Sequence, residues 1–227
     1  MTRIVNNCVA LVCLCLFWGQ SLRAADASHS EQIKWGNESV FNEEHNTLGL
    51  FSGVLGGQIV LAGGTSDDYS RWGRNAVCLS ENAGFALYED VLSKPLAYGA
   101  SITLSDGILC IGGRDSSQCY EDVFFVTMQQ GKLNVSEDWP PLPFPLSNAA
   151  GALLDNKVYL FGGRKSVSPS RLSDSFFVLD LSNKSRGWKE LPGYPGCVRE
   201  DAILVVQNNG VSPVSYTHLR AHETAAN

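Results

Sequence analysis

A short apolar strand ending in two glycines occurs three times in this 227-residue chain. The copies are Gln58-Ile59-Val60-Leu61-Ala62-Gly63-Gly64, Gly107-Ile108-Leu109-Cys110-Ile111-Gly112-Gly113 and Lys157-Val158-Tyr159-Leu160-Phe161-Gly162-Gly163. The glycine pairs lie 49 and 50 residues apart. A fixed period of about 50 residues marks a repeat architecture, one supersecondary unit per period. Glycine suits the end of a packed strand because the chain must there take a positive φ or let a neighbouring backbone come close.

Each period offers four short strands separated by turn residues. In the first, Leu48 to Val54 is followed by the turn Gly56-Gly57, the diglycine strand, Asn75 to Ser80 and Phe85 to Val91. In the second, Tyr98 to Leu104, Val123 to Val126 and Leu133 to Trp139 accompany the diglycine strand. In the third they are Ala149 to Leu154, Ser175 to Leu181 and Trp188 to Pro192. Four strands per 50-residue unit around a diglycine predict an all-β kelch-type β-propeller with one blade per unit. The expected blades span about 48–95, 98–145 and 147–192, with the start of another at 198–211. The aromatic and branched third strands are expected to fill the space between blades, as are Trp139 and Trp188, which recur at the same phase.

At 44% hydrophobic and 18% charged, the composition is that of an ordinary globular protein. The net charge of −6 argues against nucleic acid, which calls for a basic face. A small anionic substrate stays compatible, because a few arginines in a pocket act locally.

Residues 1–27 read as a secretory signal: Arg3, the apolar run Cys8 to Trp18, and the small-x-small site Ala25-Asp26-Ala27. The run is short for a membrane-spanning helix. The expected mature protein is periplasmic or secreted and free of the membrane after cleavage. Of seven cysteines, Cys78, Cys110, Cys119 and Cys197 would remain, where disulfides persist. A Cys110–Cys119 bridge across a loop is geometrically possible, and two free core thiols are equally compatible. The spacing matches no zinc site.

Residues 28–47 are polar, with one strand-like piece at Ile33-Lys34-Trp35. At the other end the pattern stops: 212–227 lacks strand periodicity and resembles translated adapter sequence, so the pair His218 and His222 is given no metal role. A chain truncated before that tail is the expectation. The Trp35 piece would then be a closing strand whose blade partners are missing.

Several stretches within 48–205 resemble the kelch-repeat sialic-acid mutarotases (N-acetylneuraminate epimerases), most of all their cyclically permuted relatives. They are Pro95-Leu96-Ala97-Tyr98-Gly99-Ala100-Ser101, Cys119-Tyr120-Glu121-Asp122-Val123, Leu142 to Gly151, Trp188 to Pro192 and Pro195 to Arg199. The resemblance implies a six-bladed exported propeller, an isomerase acting on a sialic-acid-like sugar without metal, nucleotide or other cofactor. It implies a base at the anomeric hydroxyl, an acid at the ring oxygen and an arginine gripping the carboxylate. The family's glutamate and arginine fall on a blade outside 48–205, so no catalytic residue is assigned in this chain.

Loops after the second strands and between blades should share one face around a central channel, the usual place for a ligand. Just past the diglycines stand Thr65, Arg114, Asp115 and Arg164. Between blades stand His45, Asn46, Tyr98, Asn148, Arg199, Glu200 and Asp201. The substrate-binding candidates are Arg114, Arg164, Arg199, Tyr98 and Asn148. Each has a structural alternative, an inter-blade ion pair for the arginines and packing for Tyr98. Triplets at Asn37, Asn134 and Asn183 fit the glycosylation pattern. A non-catalytic kelch module binding protein or glycan is the second functional reading. A copper oxidase is excluded by the near absence of histidine from the blades.

Overall fold

A computed structural model of the protein describes residues 48–80, 84–193, 200–207 and 210–214, all within the unit Phe41–Asn227. The architecture is a β-propeller, with three four-stranded antiparallel blades and a fourth hairpin. Blade one holds β1 (Phe51–Leu55), β2 (Gln58–Ala62), β3 (Ala76–Ser80) and β4 (Gly84–Tyr88), paired in that order. Blade two repeats it with β5 (Ala100–Thr103), β6 (Ile108–Ile111), β7 (Val123–Gln129) and β8 (Lys132–Ser136). Blade three holds β9 (Ala150–Leu154), β10 (Lys157–Phe161), β13 (Phe176–Asp180) and β14 (Lys189–Leu191). Its second loop adds a small ribbon, β11 (Arg164–Ser166) with β12 (Arg171–Leu172). The hairpin β15 (Ile203–Gln207) and β16 (Gly210–Val214) opens the fourth unit.

The second strand of the middle blade, β6, is buried on both faces, and its period of two sends alternate residues to opposite neighbours. In β6, Ile108 and Cys110 join Phe51, Val60 and Phe124 between blades one and two. Leu109 and Ile111 join Val158, Leu160, Phe177 and Leu179 between blades two and three. The adjacent aromatics Phe124 and Phe125 part in the same way. Trp139 packs 5.2 Å from Phe125, and Trp188 Nε1 donates to Pro140 O at 3.0 Å, so both tryptophans do pack between blades.

The diglycine does more than end a strand. Gly63, Gly112 and Gly162 donate their N–H to Asn75 O, Asp122 O and Ser175 O at 2.8–2.9 Å, holding the second loop of their own blade. Gly64 and Gly113 donate forward, to Leu96 O and Leu146 O at 2.8 Å, on the segments that lead into the next blade. The residue after each pair is held by two backbone bonds to the segment that enters its own blade: Thr65 to Leu48, Arg114 to Ala97 and Arg164 to Ser147. A Cβ on Gly112 would lie 2.2 Å from Leu146 O. Glycine is required here because another backbone occupies the place of a side chain.

Of the two cysteine alternatives the structure has the free core thiols: Cys110 and Cys119 are both buried and unbridged. Strand alternation points Cys110 at blade one, while Cys119 Sγ lies 3.4 Å from Ser147 Oγ on the lead-in to blade three, so the two sulfurs face opposite ways. The strand β16 runs through Ser212 to Val214, three residues into the stretch read as patternless. A 3-10 helix (Leu181–Arg186), capped by Asp180 accepting from Ser182 N, connects β13 to β14. The signal, the Trp35 piece, Cys197 and the segment from Ser215 lie outside the described residues.

Candidate functional site at the channel mouth

Four equivalent positions, one per unit, have left-handed backbone: Gly49 (φ 65°), Tyr98 (60°), Asn148 (55°) and Asp201 (54°). Each N–H donates to the carbonyl of the preceding member, Tyr98 to Gly49 O at 2.7 Å, Asn148 to Tyr98 O at 2.7 Å and Asp201 to Asn148 O at 3.0 Å. This backbone rim precedes the innermost strands β1, β5, β9 and β15 by two residues. Asn, Asp and Gly adopt this conformation readily, whereas tyrosine there is strained. Strain held in place by surrounding structure is a feature of functional positions.

Tyr98 is held by an aromatic group. Its ring lies 6.5 Å from Tyr69 and 6.4 Å from Trp72, and its hydroxyl donates to the Tyr69 hydroxyl at 3.4 Å. Burial first, and then the Tyr69 hydroxyl, push the Tyr98 phenol up, so it stays protonated. The Arg114 guanidinium faces all three rings, with Cζ 4.7 Å from the Tyr98 centroid, 5.0 Å from Trp72 and 5.9 Å from Tyr69. Cation–π attraction of this kind contributes roughly 0.5–2 kcal/mol per ring.

The other candidates form a second group. Arg164 makes a two-pronged pair with Glu200, Nε to Oε2 at 2.7 Å and Nη2 to Oε1 at 2.8 Å, which raises the guanidinium's pKa. Asn148 Nδ2 donates to Asp201 Oδ1 at 2.8 Å. Both contacts tie blade three to the fourth unit, and the Arg164–Glu200 contact is an inter-blade ion pair. Thr65 is fully buried, and its hydroxyl donates to Arg71 O at 2.7 Å within its own loop. The structure thus brings Tyr98 to Arg114 and Asn148 to Asp201, and the Tyr98–Asn148 backbone bond joins the two groups. Arg199, His45 and Asn46 lie outside the described residues. Tyr69 and Trp72 escaped the sequence reading. The signal for them was two large aromatics in an otherwise polar eight-residue loop, Thr65 to Trp72.

Asp115 is locked in the anionic form. Burial works to raise its pKa, but donors from Tyr120, Ser117 and Gln118 outweigh it and bring the value to about 2. A folded pKa below the ordinary 3.8 stabilises the protein fully above about pH 4, and that contribution is lost as pH falls toward 2. Because the group is largely solvent-screened the effect is small, below about 1 kcal/mol. Asp115→Asn is therefore expected to narrow the difference between urea midpoints at pH 4.5 and pH 2.5 (roughly the two limbs of this titration). An unchanged difference would show that Asp115 carries none of it. Asp68, also near 2 through Ser66 and Ser70, leaves a residual slope in the variant.

At the opposite ends of the blades, a cleft of about 630 Å³ separates blades two and three. Its Trp139 is covered by the Lys184 ammonium at 4.1 Å and flanked by Phe125. No three His, Cys, Asp or Glu side chains gather as a metal-ligand set among the described residues.

The Kelch motif family model matches residues 145–192, which cover blade three. The N-acetylneuraminate epimerase of Vibrio cholerae is 31% identical over 90 residues, 40% of this chain and 22% of that protein. The N-acetylneuraminate epimerase of Yersinia pestis is 32% identical over 71 residues, 31% of this chain and 16% of that protein. A kelch domain-containing protein of Vibrio cholerae is 33% identical over 70 residues, 31% of this chain and 18% of that protein. The matched stretches thus span about a fifth of these relatives' length. The solved structure of YjhT superposes with a TM-score of 0.58 at 12% identity, over 72% of this chain and 60% of that one. Motif and superposition agree with the strand order, and the chain is built as a kelch β-propeller.

Proposed function

We propose that the chain is part of an exported sugar mutarotase that interconverts the anomers of N-acetylneuraminate or a similar sugar acid. The observation that carries this is the match to N-acetylneuraminate epimerases at 31–32% identity. The polar and aromatic rim of the propeller mouth is a second support, since sugars are held by stacking rings and by fixed hydrogen-bond donors. Ring opening needs a base for the anomeric hydroxyl proton and an acid for the ring oxygen; rotation and reclosure then give the other anomer. On this reading the described blades hold the substrate, and the acid/base pair is not assigned to them. The apolar run Cys8 to Trp18 behind Arg3 supports a periplasmic or secreted location.

One observation favours a binding-only propeller as the second reading. The shifted mouth groups are each fixed in one charge state: Asp115 as the anion, Arg164 as the cation and Tyr98 as the neutral phenol. None is tuned for proton transfer near neutrality. Proton NMR of freshly dissolved crystalline N-acetylneuraminate separates the two. With the full-length protein of which this chain is a part, the anomeric H3 signals are expected to reach equilibrium faster than in buffer. Broadened ligand signals with an unchanged rate would replace the mutarotase reading with the binding one.

A further inference from the structure

The residues just after the three diglycines occupy one structural position, and comparison of their surroundings singles out Arg114. Thr65, Arg114 and Arg164 make the same pair of backbone bonds with Leu48, Ala97 and Ser147. The position across from Arg164 in the next unit is Glu200, one residue before the rim residue Asp201. In the repeat the same place, one before the rim, is held by Ser147 opposite Arg114. Arg164 therefore finds a carboxylate and closes a two-pronged pair. Arg114 finds Ser147, whose hydroxyl lies against Cys119 Sγ instead.

Among the described residues the ion pairs are Arg74–Asp90, Lys94–Asp122 and Arg164–Glu200, and none includes Arg114. Among the described residues its guanidinium uses one N–H, Nη1 to Asp115 O at 3.3 Å. The other donors of the fork are left over, since ring faces hold a guanidinium through its charge and not through its N–H groups. The group is half-buried at the rim, beside Tyr98, and wrapped by Tyr69, Trp72 and Tyr98. Tyr69 is itself 50% exposed, with a ring open to a ligand. A positioned cation that meets no carboxylate among the described residues, next to an exposed ring, suits a planar anion carried on an apolar or sugar ring.

We propose that Arg114, set in the wall of Tyr69, Trp72 and Tyr98, is an anion-binding group of the channel mouth and takes the carboxylate of a sugar acid. The identity of the sugar rests on the proposed function above; the anion site itself does not. The contact is a charge-assisted two-pronged hydrogen bond with no covalent step, and Arg114 acts here as a binding residue.

The test is a fluorescence titration of the full chain, with Trp72 beside the site as reporter. The probes are N-acetylneuraminate, its carboxyl methyl ester and inorganic phosphate. The acid is expected to bind about 10- to 100-fold more tightly than the ester, the range for a hydrogen bond to a charged group. Arg114→Gln is expected to remove that preference, Arg114→Lys to keep part of it, and Arg186→Gln on the distant 3-10 helix to leave it intact. Far-UV circular dichroism and thermal unfolding report whether Arg114→Gln is folded. If it is not, the partial preference of Arg114→Lys decides alone, because a full preference there denies the need for the fork. Equal binding of acid and ester by the unaltered chain, a preference that survives Arg114→Gln, or no saturation by the acid at millimolar concentration would each overturn the proposal. Phosphate binding as tightly as the acid would overturn its sugar-acid part. If anomer exchange is not accelerated yet Arg114→Gln erases the acid preference, the catalytic reading fails while this one stands.

Discussion

Gly112→Ala is expected to lower the unfolding free energy by about 3–5 kcal/mol, measured by urea unfolding at neutral pH. The residue has φ 63°, and its new Cβ would stand 2.2 Å from the Leu146 carbonyl oxygen. That oxygen cannot easily retreat. It accepts from Gly113 N at 2.8 Å, and its own residue's N–H donates to Tyr120 O at 3.0 Å. Next along the chain, Ser147 is bonded twice to Arg164. Making room for one methyl group thus costs the left-handed strain of about 1–2 kcal/mol and strains several inter-blade hydrogen bonds worth about 1 kcal/mol each. Gly57→Ala provides the control. Gly57 has φ 79° in the β1–β2 turn, but nothing lies within 4 Å of its Cβ position. It should lose only the strain, about 1–2 kcal/mol. Equal losses at the two sites would mean that the diglycine serves conformation alone and does not join blades.

The same contrast explains how much of the fold was legible. A 50-residue period and an alternating apolar pattern are local signals, and they suffice for the blades. Strand ends moved by up to three residues, because pairing partners decide where a ladder stops: β7 runs on to Gln129, and β4 ends at Tyr88. The bond from Gly113 to Leu146 joins residues 33 positions apart and has no local signature. Cys110 and Cys119 show the limit more sharply. Nine residues of separation allow a bridge, and only the alternation along β6 against the neighbouring blade turns the sulfurs apart.

The candidate site was legible as a face and not as a set of contacts. Tyr98, Asn148 and Asp201 came from loops expected to converge, and they do share the rim. Their common left-handed backbone was hidden, because tyrosine gives no hint of a position where Gly49, Asn148 and Asp201 fit without strain. Arg114 and Arg164 looked alike in sequence, each directly after a diglycine. What separates them is the residue across the joint, Ser147 or Glu200, which becomes readable only when the repeats are aligned on the rim.

Phe51→Ala is expected to cost about 3–5 kcal/mol in the same unfolding measurement, the range for deleting a buried phenylalanine ring. Phe51 is 1% exposed and packs edge-on to Phe124 at 5.2 Å. It fills space that blade two leaves open with glycine: a Cβ on Gly99 would sit 2.1 Å from Phe51 Cε1, and one on Gly113 3.2 Å from Cζ. The innermost pair of each blade shares out that volume. Phe51 lies opposite Ala62, Ala100 opposite Ile111 and Ala150 opposite Phe161. Each blade thus has one large and one small residue at this layer, on whichever strand carries it, which fits a core that must be filled to fixed density. A second change can therefore restore what the first removes. Ala62→Ile in the Phe51→Ala background copies the arrangement of blade two and is expected to recover about 1–2 kcal/mol, less than a full rescue because the shapes differ. If Ala62→Ile is as harmful in the Phe51→Ala chain as in the unaltered one, the two positions do not share one space, and the volume exchange between strands is refuted.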